Sequence, residues 1–337
     1  MKMNWIKLLV VLMILTLAEI SLGEGMSTKE PLWKQLSQAY GFILGQKASL
    51  ALIEERFPDL ATDAKNARFS FDATALGESM KGVKGELSKL LGDKWPQYEK
   101  QMADQIDKLM EEQDFNRQQA VAFLQAVRQR AKGAMPEFIL STLLSVHPRL
   151  AENPGLELSS GWKQTFRTKG HPKAKGVDLS ISFPASWSRR EGHRPNIIQF
   201  FQSGAGYGPI MCNLMVKDIP LPRGHKLSKK ELQEFFQPNV LKDIVPEGGT
   251  FIDAKSIVLE GAPAGMLISD QTTHRLDISL KMRMTQFITI HGKSMIFVQF
   301  MVAKGPNSDE SLDQLQEKYL PTYRAIANTL VLNDKYK

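Results

Sequence analysis

The chain of 337 residues contains a single cysteine, Cys212, and no paired cysteine pattern of the kind found in disulfide frameworks or zinc sites. One cysteine cannot form an internal disulfide, which excludes a small disulfide-stapled module. No low-complexity segment points to disorder, and 42% of the residues are hydrophobic. The sequence therefore predicts a fold that is stabilised by ordinary packed cores.

Catalytic and metal-binding signatures are also missing. The sequence has no G-x-S-x-G, no H-E-x-x-H and no His and Glu pairs at metal-ligand spacing on its predicted helices. The Gly204–Gly208 loop precedes a predicted strand, which favours a hairpin loop over a phosphate cradle. Cys212 lies on an apolar strand face, which favours a buried thiol over a nucleophile. No cofactor or metal is predicted, although the six scattered histidines could gather in space.

Long apolar runs are absent after the first residues, whereas residues 1–23 resemble a cleavable signal peptide. Its parts are the charges of Lys2 and Lys7, the run Leu8–Leu17, and the small residues Ser21 and Gly23 before Glu24. This run is shorter than the about 20 residues of a spanning helix. The prediction is a periplasmic or secreted protein without a transmembrane segment after cleavage, and a retained N-terminal anchor is the alternative.

The segment 24–147 is predicted to be a helical domain. Ser27 and Glu30 form a capping-box pattern, and apolar residues then recur every three to four positions until Pro58. Similar spacing predicts further helices over 73–91, 94–112, 117–132 and 136–146. Gly41 and Gly45 give the first helix a smooth face for another helix to pack on. Together these segments predict a bundle of four or five helices.

Residues 148–160 are rich in Pro, Gly, Asn and Ser and are predicted to be a linker to a sheet domain over 161–337. In that second domain the apolar period changes from 3.6 to 2, which is typical of strands with one buried face. The alternation over 276–284 predicts a strand with Met282 and Met284 on the buried face and Arg283 on the polar face. A turn at His291–Lys293 predicts a hairpin, and an apolar stripe predicts a C-terminal helix lying on the sheet.

Three short motifs in this second domain carry a resemblance to a known family. They are Phe183-Pro184-Ala185-Ser186-Trp187, Gly261-Ala262-Pro263-Ala264-Gly265 and His291-Gly292-Lys293. With the three motifs in this order, the segment from about 161 to 333 resembles the PsbP-like superfamily, which includes PsbP, the Ran-binding Mog protein and DcrB. The resemblance implies an antiparallel sheet flanked by helices in an α/β/α sandwich, and an accessory or docking role without catalysis. The whole chain is thus expected to be α + α/β.

The net charge lies in the second half of the chain. Residues 24–150 contain 17 basic and 17 acidic residues, whereas residues 151–337 contain 24 basic and 18 acidic ones. Much of the excess falls in three predicted loops. The candidate binding residues in these loops are Arg167, Lys169, His171, Lys173, Lys175, Arg189, Arg190, His193, Arg194 and Arg223. Converging loops would raise a local positive potential, and a merely solvated surface is the alternative.

These features favour a non-catalytic binding or accessory protein that docks an envelope partner through the second domain. The partner would be an envelope protein or an anionic surface. Nucleic acid is disfavoured by export and by the lack of aromatic residues between the charges. A hydrolase of unknown class, with a site in the cleft between the domains, is the alternative function.

Overall fold

A computed structural model describes residues 31–114, 116–222, 225–275, 278–304 and 310–336. The predicted signal peptide, the Ser27–Glu30 capping box and Arg223 lie outside the described residues, as do Leu276 and Asp277 of the alternation over 276–284. The chain divides into two compact units, with the boundary between Glu152 and Asn153. Helices make up the first unit, and antiparallel sheets with helices make up the second, as the sequence predicts.

The first unit is organised around its longest helix. The helices are α1 (Leu32–Arg56), α2 (Ala61–Asp72), α3 (Ala75–Leu91), α4 (Trp95–Glu111), α5 (Arg117–Arg130), α6 (Glu137–Ser145) and α7 (Pro148–Glu152). Helix α1 contacts α2, α3, α4 and α6. Its apolar residues Leu36, Ile43 and Leu50 are buried because their spacing places them on the side of the neighbouring helices.

Two segments differ from the sequence prediction, one in this unit and one at the boundary between the units. Helix α2 lies in a segment that was not predicted to be helical, because its buried positions Ala64, Ala67 and Phe71 provide only a short and weak apolar stripe. The predicted linker 148–160 contains α7 and a second short helix, α8 (Gly155–Ser159). Leu150 and Glu157 of these helices are buried, so this segment is more structured than its Pro and Gly content indicates.

Glycines allow helices of this unit to approach each other closely. A Cβ atom at Gly41 would lie 3.2 Å from Met102 Cε of α4, which confirms the predicted packing on the smooth face of α1. At Gly82 of α3 the approach is closer, because a Cβ atom there would lie 1.8 Å from the carbonyl oxygen of Val146. Since that atom belongs to the backbone, a rotamer change cannot relieve the clash.

The Gly82→Ala variant is therefore expected to lower the free energy of unfolding by about 1–3 kcal/mol, the usual range for overpacking. Gly85→Ala on the same helix is the matched control, because a Cβ atom there meets nothing within 4 Å. It should raise stability by about 0.5–1 kcal/mol through helix propensity. Chemical unfolding of both variants measures the difference, and equal stabilities would contradict the close approach.

The second unit contains two antiparallel sheets. Their strands are β1 (Lys163–Arg167), β2 (Leu179–Pro184), β3 (Ser188–Glu191), β4 (Ile197–Gln202), β5 (Ile210–Asp218), β6 (Thr250–Leu259), β7 (Ala262–Arg275), β8 (Ile278–His291), β9 (Ser294–Ala303) and β10 (Val331–Leu332). The larger sheet has the order β3-β4-β5-β9-β8-β7-β6, and the smaller one has the order β1-β2-β10. The predicted hairpin at His291–Lys293 is confirmed by the β8–β9 pairing.

Tight turns and caps hold these strands and helices in place. Glu260 and Gly261 both have positive φ (48° and 70°) between the paired residues Leu259 and Ala262, which is the two-residue turn that suits a twisted hairpin. The remaining helices are α9 (Lys229–Phe235), α10 (Pro238–Leu241) and α11 (Leu312–Ala327). Ser228 and Ser311 cap α9 and α11 through side-chain hydrogen bonds.

Helices cover the two faces of the large sheet. On one face, here the α11 face, Tyr323 stacks on Phe300 with ring centroids 4.3 Å apart, and the small sheet adds Ile181 and Phe183 to the same core. On the opposite face, here the α9 face, a separate apolar cluster includes Phe236. The C-terminal helix lies on the sheet, as its apolar stripe predicts. Both faces of the central strands therefore carry buried apolar residues.

Candidate docking surface of the basic loops

The structure brings together the first two of the three predicted basic loops. Lys173, in the loop between β1 and β2, donates a hydrogen bond to the carbonyl oxygen of Gly192 at 2.5 Å. The same ammonium lies 2.9 Å from a carboxylate oxygen of Glu191, at the end of β3. One lysine thus joins the β1–β2 loop to the loop between β3 and β4.

One histidine of each loop, His171 and His193, acts on Glu191 at this contact. The pKa of Glu191 lies below its ordinary value, chiefly because Lys173 binds it, with smaller contributions from the charges of His171 and His193. His193 Nε2 lies 2.6 Å from a guanidinium nitrogen of Arg190, whose Cζ atom is 4.1 Å from the centre of the Phe200 ring. The aromatic face and the His193 contact fix the Arg190 side chain in place although it is exposed.

Carboxylates already neutralise several of the predicted cations. Lys175 lies 3.0 Å from Asp218 at the end of β5. Arg167 makes two hydrogen bonds to Asp178, at 2.8 and 2.7 Å. Since its pairing partner on β2 is Ser180, Arg167 points away from the core residue Phe166 and towards the outer side of the small sheet.

The other predicted binding residues are exposed or lie outside the described residues. Lys169 and Arg194 are exposed in the first two loops, whereas Arg189 is exposed on β3, where the sequence predicted a loop. Arg223 lies outside the described residues. The part of the predicted surface that the described contacts hold together consists of His171, Lys173, Arg190 and His193, with Glu191 among them.

The sequence prediction missed a buried arginine that binds two carboxylates. Arg283 was assigned to the polar face of its strand, but its side chain is only 7% exposed. It lies on the α11 face and forms hydrogen bonds with Asp270 on β7 (2.7 and 3.1 Å) and with Asp313 at the start of α11. The assignment was wrong because β8 is covered on both faces, so alternation alone does not identify a solvent side.

A buried carboxylate was missed as well. Glu157 of α8 is 3% exposed and accepts hydrogen bonds from the backbone N–H and the hydroxyl of Ser186, both at 2.6 Å. Burial raises its pKa to about 7, against the lowering effect of the Ser186 and Ala185 hydrogen bonds. The signal in the sequence was weak, since this glutamate lies in a Pro- and Gly-containing segment. The contact holds α8 against the turn between β2 and β3.

The nucleophile considered in the sequence, Cys212, lies inside a core. Cys212 is fully buried on the α11 face, and burial raises the pKa of its thiol, as the prediction of a buried residue requires. In the described part of the chain, no group of three or more His, Cys, Asp and Glu residues could hold a metal ion. The same residues include no helix long and apolar enough to cross a membrane.

Comparison with known proteins finds similar solved structures at low sequence identity. No family profile matches it, and no curated protein matches it. Solved structures that it resembles include LpqN of Mycobacterium tuberculosis, described as involved in cell envelope biogenesis, with 11% identity and a TM-score of 0.31 over 50% of this chain and 90% of LpqN. Another is a Bacteroides thetaiotaomicron VPI-5482 protein, with 13% identity and a TM-score of 0.28 over 47% of this chain and 46% of that protein. At these scores, neither resemblance bears on the function.

Proposed function

We propose that the chain is an exported, non-catalytic accessory protein that docks an acidic envelope protein through its basic loops. The observation that carries the proposal is the Lys173 contact with Glu191 and Gly192, which holds two basic loops side by side. Arg189, Arg190 and Arg194 are exposed within three residues of Glu191, with Arg189 and Arg190 on opposite sides of the strand β3. Such a cluster speeds capture of a partner of opposite charge.

The carboxylates within the surface favour a protein as the partner. Glu191 and Asp218 pair with Lys173 and Lys175 in this surface, and a uniformly anionic lipid surface would meet these two carboxylates as repulsive charges. A protein partner can place its own carboxylates opposite the cations and away from Glu191 and Asp218. The docked partner is therefore a protein with discrete acidic side chains.

The wider organisation is part of the same proposal. It comprises a signal peptide over 1–23, a helical domain over 24–147, a linker over 148–160 and a PsbP-like sheet domain over 161–337. The three short motifs, and the antiparallel sheets and helices of the unit that contains them, support the PsbP-like assignment. The boundary between Glu152 and Asn153 falls inside the proposed linker.

The test is crosslinking and capture from the native envelope fraction with the wild-type chain and a charge-reversed variant. Arg189→Glu, Arg190→Glu and Arg194→Glu together should reduce capture of the partner by at least about tenfold, because each contact adds to one local potential. Capture by the wild type should fall steeply as salt rises from about 0.05 to about 0.5 M, since screening shortens the reach of these charges. The captured form should begin near Glu24.

The matched control reverses three exposed lysines of the helical domain, Lys65, Lys100 and Lys108, and so makes the same change in net charge. It should retain capture. Equal losses in both variants would mean that only net charge matters, and full capture by the arginine variant would contradict the docking surface. Binding to anionic lipid vesicles with the same salt dependence, without a captured protein, would contradict a protein partner.

A further inference from the structure

A row of methionines crosses the α9 face of the large sheet. Met211 of β5 pairs in register with Met301 of β9, and Met301 pairs with Met284 of β8. Residues directly opposite each other on neighbouring antiparallel strands point to the same face, with Cβ atoms about 4.5–5.5 Å apart. Three thioether side chains, here the thioether row, are therefore neighbours on adjacent strands.

The thioether row belongs to neither apolar core of this unit. The cluster under α11 and the cluster under α9 both exclude its three members. Met284 is buried, whereas Met211 and Met301 are partly exposed, which leaves a path from solvent to the row. Core packing accounts for Met284, which is 4% exposed, but it does not require methionine at the partly exposed positions Met211 and Met301 beside it.

Amide side chains in the next row of the sheet contact the sulfur atoms. Gln299 Nε2 lies 3.7 Å from Met284 Sδ, and Asn213 Nδ2 lies 4.0 Å from Met301 Sδ. Asn213 Nδ2 also lies 3.2 Å from Gln299 Oε1, which links the two amides. A thioether is a weak acceptor, so these contacts orient the sulfur atoms and leave lone pairs available.

Uncharged sulfur ligands select soft cations. Thioethers suit Cu(I), whereas Zn²⁺ and Ca²⁺ prefer sites with nitrogen, thiolate or oxygen ligands. Each Met sulfur is separated from its Cβ atom by only one methylene carbon on a flexible chain. Neighbouring side chains can therefore converge on one ion. We propose that Met211, Met284 and Met301 form a three-thioether site for a soft monovalent cation, with Cu(I) as the ion.

The experiment is a titration of the purified full chain with Cu(I) under reducing, oxygen-free conditions, with bicinchoninate as the competing chelator. A single Cu(I) should bind per chain. Met284→Leu with Met301→Leu should weaken binding by at least about tenfold, since even outer-shell changes weaken metal sites by about 10–100-fold. The control is Met266→Leu with Met295→Leu, because these two methionines pack in or against the apolar clusters, and it should bind as the wild type does.

Two further measurements separate this site from other ligands. Thioethers carry no titratable proton, so the affinity should stay constant between about pH 5.5 and 8, unlike that of a histidine or thiolate site. Cys212→Ala should retain the bound Cu(I). If the double leucine variant fails to fold by circular dichroism, Met211→Leu, at a partly exposed position, provides the same comparison. Binding that survives the loss of the row, follows pH or requires Cys212 would overturn the proposal, as would the absence of binding.

Discussion

Replacing Arg283 with methionine is expected to lower the free energy of unfolding by about 3–5 kcal/mol, the usual effect of removing one partner of a buried ion pair. The reason is that Asp270, 5% exposed, would remain in the sheet without the guanidinium that satisfies both of its oxygens. Lys281, 3.4 Å from Asp270 and 62% exposed, is too solvated to replace it. Chemical unfolding of the variant measures the loss.

Lys281→Met is the matched control for this prediction, because it removes a cation from the same carboxylate at an exposed position. It should change stability by less than about 1 kcal/mol. Combining Arg283→Met with Asp270→Leu should recover most of the loss, since an apolar pair can replace a buried ion pair. A double variant as unstable as Arg283→Met alone would show that the arginine acts through packing and not through its charge.

The pH dependence of the Arg283 effect has a defined sign. Burial opposes ionisation of Asp270, but the hydrogen bonds and charges of Arg283 and Lys281 outweigh it and hold the pKa below its ordinary value. The stabilisation from the ionised pair is thus present above the unfolded pKa and is lost as pH falls through the folded one. The difference between the wild type and Arg283→Met should narrow in acid.

The second large effect concerns Glu157, which should make the sheet unit less stable at about pH 8 than at about pH 5. Its pKa is raised from 4.5 to about 7 in the fold, mainly by burial. The folded state therefore binds the proton more tightly than the unfolded state does. Its stabilisation is fully present below the unfolded pKa and is lost as pH rises through about 7, a change of about 3 kcal/mol.

Glu157→Gln should remove this part of the pH dependence, because glutamine resembles the protonated carboxyl. Its oxygen can accept from the Ser186 N–H, and its amide can donate to the Ser186 hydroxyl. Glu317→Gln, on the exposed side of α11, is the control and should leave the wild-type dependence unchanged. Chemical unfolding of each variant at both pH values measures the change in the free energy of unfolding. If Glu157→Gln shows the same change as the wild type, another group causes the pH dependence.

Several strand features were predictable from the sequence because local patterns determine them. The His291–Lys293 turn and the burial of Cys212 each depend on residues within a few positions of one another. The burial of Arg283 was not predictable in this way, since it depends on Asp270 and Asp313, which lie 13 and 30 residues away. Alternation identifies two faces of a strand but does not reveal what covers each of them.

The candidate surface was predictable only as a set of charges. The sequence locates the basic loops, but the folded positions of Asp178 and Asp218 decide how much of the charge remains. Lys175 pairs with Asp218 and Arg167 with Asp178, and counting charges within loops does not reveal either pair. The row of methionines was invisible for a related reason, because its members lie on three strands and meet only through the register.

The two outer strands of the large sheet are unequal, and this has a consequence for association between chains. β3 is a four-residue strand with Arg189, Arg190 and Glu191, which is a well-protected edge. β6 has ten residues, and its Ile252 and Val258 side chains are 41% and 68% exposed. The backbone N–H and C=O groups on its outer edge can pair with a strand of another chain. The irregular register between Phe251 and Asp253, together with Lys255, opposes such pairing. Substitutions that remove this lysine or straighten this strand would thus favour aggregation through β6 before the core itself becomes unstable.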